Sequence, residues 1–246
     1  MDVALPWLAP GDPFPTPESA WGLDTPAPGL LAAGGSLDTE TLCRAYAQGT
    51  FPWFSNGQPI LWWAPDPRMV LQVNQFKLHP SLRKTLKKFQ NSPECSVTID
   101  KAFSRVIRTC ATQSRKGQNG TWIVPSMVEA YEQLHALGVA HSVETWVDDK
   151  LIGGLYFVAL GKAVFGESMF AHVTDASKIA LAALVCIAKA QGVPWIDCQQ
   201  NTRHLASLGA AEIPRETFVA DIQALSSEPD PQWFFESVYW SQLLSR

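Results

Sequence analysis

The sequence predicts an α+β fold, with a small N-terminal domain followed by a larger domain built on a mostly antiparallel sheet. Three observations carry that expectation. Apolar segments at 141–147, 151–160 and 163–170 are separated by the turn residues Asp148, Asp149 and Lys150 and by Gly161 and Lys162, the pattern of strands joined as antiparallel hairpins. Amphipathic helical patterns precede this meander, and a further helix and strand follow it. The first 66 residues are instead dense in Pro, Trp and Gly.

That first stretch reads as loops around one short helix at 38–48, started by Ser36 and Asp38 and stopped by Gly49. The segment LWWAPDPR at 61–68 carries two prolines and marks the crossing into the larger domain, giving domains 1–66 and 67–246. A helix at 81–90 buries Leu82, Leu86 and Phe89 and shows Arg83, Lys84, Lys87 and Lys88 on its other side. A second helix, with Asp100 as N-cap, buries Phe103, Val106, Ile107 and Cys110 while Arg105 and Arg108 face out. A third, at 126–137, ends at Gly138. Beyond the meander Asp175 caps a helix to 190, Gly192 stops it, and 195–199 is another strand.

With 246 residues, 46% of them hydrophobic, the chain can bury a sizeable core. Its longest apolar run, 179–188, lies between Lys178 and Lys189 and is too short to cross a bilayer. The opening MDVALPWLAP lacks the basic start and unbroken apolar stretch of a secretory signal, so the expected location is the cytoplasm. Five scattered cysteines without a C-x-x-C pair argue against a disulfide framework or a zinc cluster. Neither His135 with His141 nor Cys198 with His204 has a metal-ligand spacing, so no metal is expected.

Net charge is −4, yet its distribution is uneven. Residues 77–116 hold ten Lys or Arg against Glu94 and Asp100, leaving nine basic and 21 acidic residues elsewhere. Local charge governs contact with a polyanion, and two successive basic helices nearly free of acids point to a phosphate-binding face. In IDCQ at 196–199, Asp197 and Gln199 alternate on a strand and leave the same face, with Cys198 opposite.

Eight segments together resemble the leucyl/phenylalanyl-tRNA–protein transferase family. They are PGLLAAGGSL (28–37), AYAQGTFPWF (45–54), LWWAPDPR (61–68), TWIVPSMVEAYEQLHALGVAHSVE (121–144), GESMF (166–170), DASKIAL (175–181), IDCQ (196–199) and HLASLGA (204–210). The resemblance implies an acetyltransferase-like (GNAT-like) larger domain and transfer of Leu, Phe or, less well, Met from its tRNA to a protein beginning with Arg or Lys. The product carries a degradation signal, and no metal or organic cofactor is implied. It assigns Asp197 and Gln199 to holding and deprotonating the acceptor amine, and Trp53, Trp122 and Tyr131 to the neighbourhood of the terminal adenosine. Met169, Leu181 and Ile196 match positions lining the aminoacyl pocket, and Glu167 its polar edge, facing either the substrate's amino group or the acceptor's cationic side chain. Arg83, Lys84, Lys87 and Lys88 are the expected contacts to the tRNA backbone. The chain departs from the family pattern at Phe157, usually Gly, and at Ala171 and His172, usually Ser-Arg.

The chemistry suits these residues. An aminoacyl ester is already activated, and an α-amine with a pKa of about 7.7 to 8.0 is partly neutral near pH 7. The protein must align amine with carbonyl, stabilise an oxyanion and remove one proton. The competing readings are a CoA-dependent N-acyltransferase, a Cys198–His204 hydrolase and a non-enzymatic RNA-binding module. The first lacks its Gln/Arg-x-x-Gly-x-Gly/Ala loop, the second has its thiol on the wrong face, and the third leaves IDCQ and GESMF unexplained.

Overall fold

The computed structural model describes residues 4–113 and 123–245. Its larger sheet has seven strands in the order β11-β5-β10-β9-β8-β7-β6, and only β9 and β10 run parallel. In chain order these are β5 (Arg68–Gln72), β6 (Cys95–Ile99), β7 (Ala140–Val147), β8 (Lys150–Leu160), β9 (Ala163–Ala171), β10 (Trp195–Gln199) and β11 (Ala211–Ile213). The mostly antiparallel α+β sheet and its central meander are therefore as expected. Asp148 and Asp149 adopt the left-handed conformation that the tight β7–β8 turn needs.

The N-terminal stretch holds more than loops and one helix. β1 (Trp7–Leu8), β2 (Leu30–Gly34), β3 (Phe51–Pro52) and β4 (Leu61–Trp63) form a second sheet in the order β1-β2-β4-β3. Strands of two to five residues are too short to show a period in sequence, which is why they read as loops. The expected helix is α1 (Thr39–Ala47), with the Asp38 carboxylate accepting from the Thr41 N–H at 2.9 Å and Gly49 beyond its end at φ 82°.

Helices cover both faces of the seven-stranded sheet. α2 (Pro80–Gln90) and α5 (Ala176–Gln191) pack on one face, where Leu82, Leu86 and Phe89 join Leu181, Leu184 and Val185 around Leu155 and Phe157. α3 (Phe103–Thr112), α4 (Pro125–Ala136) and α1 pack on the other, around Tyr156, Val158 and Phe165. The alternation of β8 side chains makes this division. It places the two basic helices on opposite faces of the sheet, so they form no single face. Arg108 is moreover held in a two-oxygen contact by Glu132.

The chain closes with α6 (Arg203–Ser207), α7 (Arg215–Leu225) and α8 (Ser241–Leu244), none of them expected from sequence. α5 is buried on almost every side, and a Cβ on Gly153 of β8 would lie 2.5 Å from that of Ala176, so glycine permits the helix's close approach. Among the described residues no helix is long and apolar enough to cross a membrane.

One capping expectation fails and a second holds in position but not in its side-chain bond. Asp100 does not cap α3; at φ 59° it turns back so that its carboxylate accepts from the Ser142 N–H at 2.8 Å and sits 2.7 Å from His141 Nδ1. Asp175 occupies the N-cap position of α5 but at φ 66°, and its carboxylate takes Lys178 Nζ at 2.8 Å instead of a helix N–H. In both cases a charged or buried donor competes successfully with the helix end.

Candidate active site

The parallel ladder between β9 and β10 lasts only for Ile196 with Val164 and Asp197 with Phe165. Beyond it each strand carries one extra residue relative to its antiparallel partner: Glu167 against β8, and Cys198 against β5. Bulges bend a strand and re-aim side chains. The two strands separate here, and a cavity of about 490 Å³ opens between them. A Cβ on Gly166 would lie 3.1 Å from the Asp197 carbonyl oxygen, so a glycine stands where the strands are still close.

Leu155, Met169, Leu181, Leu184, Ile196 and Leu205 give the cavity an apolar lining, while Phe51 and the partly exposed Trp53 line it from the N-terminal sheet. Trp53 packs edge-on against Trp63, whose Nε1 donates to the Trp53 carbonyl at 2.7 Å. The polar lining includes Glu167, Asp197, Gln199, Thr202 and His204.

Glu167 is the centre of a hydrogen-bond network. Its Oε1 accepts from the Tyr46 hydroxyl at 2.7 Å and from Gln199 Nε2 at 3.0 Å, and its Oε2 from the Tyr131 hydroxyl at 3.4 Å. Tyr46 and Tyr131 also bond to each other and are fully buried. Burial raises the Glu167 carboxyl from its ordinary 4.5 to about 7, with the charge of Asp197 adding to the rise and the three donors opposing it. Burial, and then the Glu167 charge, push both tyrosines well above the ordinary phenol range, so they remain donors.

Asp197 is fully buried and committed elsewhere. Arg68 Nε donates to its Oδ1 at 2.9 Å and Arg68 Nη2 to its Oδ2 at 2.6 Å, a two-point ion pair, and the Gln199 N–H reaches Oδ1 at 2.8 Å. The regular alternation expected of 195–199 is broken at Cys198, and Gln199 sits at φ 61°. The Cys198 thiol is bonded to the Ile196 carbonyl, and burial followed by the Asp197 charge pushes its pKa up, which makes it a poor nucleophile. Burial and the nearby Lys178 lower His204.

The structure thus gathers Trp53, Glu167, Met169, Leu181, Ile196, Asp197 and Gln199 on one cavity. Tyr131 lies behind it as support for Glu167, and Trp122 falls outside the described residues. Arg83, Lys84, Lys87 and Lys88 do not line the cavity, although His79 at the start of α2 donates to the Ser207 carbonyl at 2.7 Å and so ties that helix to α6 beside it. Tyr46 and Arg68 went unassigned in the sequence, although both lie in matched segments. A lone arginine inside LWWAPDPR was the available signal.

Residues 70–223 match leucyl/phenylalanyl-tRNA protein transferase, and residues 35–66 match the N-terminal domain of that transferase. The chain belongs to this transferase family. A leucyl/phenylalanyl-tRNA–protein transferase from Polaromonas sp. (strain JS666) is 63% identical over 98% of the chain and 94% of its own length. One from Albidiferax ferrireducens is 60% identical over 98% of the chain and 95% of its own length. Among solved structures, the chain is similar to L-PGS from Bacillus licheniformis, with TM-score 0.39, 11% identity, and coverage of 82% of this chain and 65% of that one. As a leucyl/phenylalanyl-tRNA protein transferase family member it is an aminoacyltransferase, acting between aminoacyl-tRNA and a protein acceptor.

Proposed function

We propose that this chain transfers Leu, Phe or, less well, Met from aminoacyl-tRNA to the N-terminal Arg or Lys of acceptor proteins in the cytoplasm, forming a peptide bond that marks the product for degradation. One observation carries the reading: an apolar cavity ends on a carboxylate–amide pair, Glu167 with Gln199, whose carboxyl exchanges its proton near neutral pH. Met169, Leu181 and Ile196 receive the aminoacyl side chain, and a flexible Met admits both branched and aromatic shapes. Trp53 offers an aromatic face to the terminal adenosine. Residues 1–66 act as a small domain that supplies Phe51 and Trp53 to the cavity of 67–246.

In this reading the acceptor's amine meets Gln199 and Glu167. The ammonium gives up one proton to Glu167, the neutral amine attacks the ester carbonyl, and as the C–O bond breaks the second proton shed by the nitrogen passes to the departing 3′-oxygen of the tRNA. Asp197, with both oxygens engaged, positions Gln199 and does not serve as the proton acceptor. The CoA-dependent alternative loses support at the start of α5, where a second anion, the Asp175 carboxylate held by Lys178 Nζ at 2.8 Å, stands beside the helix end that would face a pyrophosphate. The decisive assay incubates purified protein with labelled leucyl-tRNA and a peptide beginning with Arg. Label in the peptide is the expected result; its absence with a folded preparation overturns the proposal.

A further inference from the structure

Arg68, the first residue of β5, is 1% exposed, and its guanidinium is engaged on every side. Besides the two bonds to Asp197, Nη1 donates to the Gly49 carbonyl at 3.0 Å, and the rings of Phe51 and Phe218 cover the carbon of the fork at 4.7 and 4.5 Å. These partners come from the turn between α1 and β3, from β3 itself, from α7 and from β10. Gly49 is itself wedged in place: at φ 82°, a Cβ there would meet Ile222 and Phe218 of α7 at 3.2 and 3.3 Å. The other end of the chain of contacts is the Gln199 backbone, held at φ 61° with its N–H on Asp197. A non-glycine residue adopts that conformation only where the surroundings impose it.

We propose that Arg68 is a positioning residue for aminoacyl transfer: its fork orients the Asp197 carboxylate, which fixes the kinked backbone that presents Gln199 to Glu167 and the acceptor amine. The inference rests on the function proposed above and deepens it. Geometry distinguishes this role from simple cohesion. Two parallel N–H donors fix both the place and the plane of a carboxylate, whereas a lysine ammonium would fix a point and leave the plane free. A buried ion pair is by itself weak evidence of stabilisation, because apolar replacements of similar volume are often neutral. The contacts to Gly49 and Phe51 also couple the strand that leads to Trp53 with the reacting strand, so one guanidinium sets both the entrance and the floor of the cavity.

The test compares the parent with Arg68→Lys, Asp197→Asn and the double variant Arg68→Met/Asp197→Asn. Each is measured for thermal melting, affinity for leucyl-tRNA and single-turnover transfer to an Arg-initiated peptide. Arg68→Lys is expected to transfer about 10- to 100-fold more slowly, since small misplacements of reacting groups have effects of that size, with donor affinity within about threefold of the parent. Because Arg68 acts through Asp197, the double variant is expected to be no slower than Asp197→Asn alone. A parental rate in Arg68→Lys, or a double variant slower than Asp197→Asn by a further tenfold or more, overturns the inference. If Arg68→Lys does not fold, the comparison of Asp197→Asn with the double variant decides alone. A parent that transfers nothing overturns the proposed function and this inference with it, whereas an active parent beside a fully active Arg68→Lys sinks the inference only.

Discussion

The side-chain amide of Gln199 donates to the Glu167 carboxylate across 3.0 Å, joining β10 to β9 just past the point where their ladder ends. The contact bridges the mouth of the wedge between the strands, so Glu167, the proposed proton acceptor, is held by the same residue whose backbone Asp197 holds. The titratable and charged groups facing Glu167 are Tyr46 from α1, Tyr131 from α4, and Asp197 with its partner Arg68 from β10 and β5.

Transfer at subsaturating acceptor, which reads the free enzyme, should therefore rise with pH through a midpoint of about 7, as Glu167 loses its proton and becomes able to take one from the amine. The acceptor amine, with a pKa of about 7.7 to 8.0, adds a second rise just above the first. Glu167→Gln should remove the lower rise and keep the upper one. Single-turnover rates from pH 5.5 to 9 on both proteins check this; a parental profile in Glu167→Gln would take the carboxyl out of the proton transfer.

The same shift predicts a stability effect of definite sign. Glu167 keeps its proton up to about pH 7 in the folded chain and, with an ordinary carboxyl at 4.5, only up to there when unfolded. Between those values the folded state binds more protons, so its advantage, complete below pH 4.5, is lost as pH rises through 7. Between pH 5 and 8 the parent should lose up to about 3 kcal/mol more than Glu167→Gln, and less where cavity water screens the charge. Denaturant melts at the two pH values measure it, and equal losses in both proteins would show that Glu167 titrates normally.

Substrate choice should respond to the wall contributed by α5. Leu181 lies on the cavity beside Met169 and Ile196, and Leu181→Ala removes three carbons from it. The phenylalanyl-to-leucyl transfer ratio is expected to rise by roughly tenfold, the scale on which apolar pockets distinguish sizes. Parallel assays with the two aminoacyl-tRNAs give the ratio after a melt confirms the fold. An unchanged ratio would place the side-chain pocket elsewhere.

The opposed placement of the basic helices makes a separable prediction. α2 shares a face with α5, and its start is bonded to α6 beside the cavity, whereas α3 lies across the sheet. Replacing the exposed Lys84, Lys87 and Lys88 by Ala should lower the salt slope of tRNA binding by about 0.7 to 0.9 for each phosphate that is no longer neutralised. Replacing Lys101 and Arg105, which rest over the Trp146 ring, should leave it unchanged. The reverse pattern would put the tRNA on the opposite face of the sheet.

What the sequence made legible follows from the range of each signal. Helix periodicity is local, so the buried stripe Leu82, Leu86 and Phe89 and the stripe from Phe103 to Cys110 could be read directly. The meander was marked by its own turns. β5 was missed because Arg68 through Leu71 are all buried, which erases the alternation that identifies a half-buried strand. In the site, short peptides pointed to Glu167, Asp197 and Gln199, but the division of labour among them depends on contacts spanning more than a hundred positions. Arg68 is 129 residues from Asp197, and Tyr46 is 121 from Glu167. No local pattern states that Asp197 is neutralised and Glu167 is not.

That difference bears on acceptor recognition. Two carboxylates in the cavity wall would suggest a doubly negative site, yet Arg68 balances Asp197, which leaves Glu167 as the carboxylate whose hydrogen-bond partners are all uncharged. An acceptor beginning with Arg or Lys brings a fixed cation on a long stem as well as its α-amine. Either cation near Glu167 favours the ionised carboxylate, so a cationic acceptor should draw the Glu167 midpoint below 7 and a neutral one should leave it unpaired at a desolvation cost. A charge-assisted contact of about 1.5 to 3 kcal/mol corresponds to roughly ten- to hundredfold discrimination. Otherwise identical peptides beginning with Arg, Lys, Gln or Ala, competed against one another, should be used in the order Arg and Lys far ahead of Gln and Ala. In Glu167→Gln the gap between Arg and Gln should shrink toward unity while the aminoacyl preference stays as in the parent. Equal use of all four peptides by the parent would defeat the assignment of cationic acceptors. A full gap in Glu167→Gln would defeat only the choice of Glu167 as the residue that reads the cation.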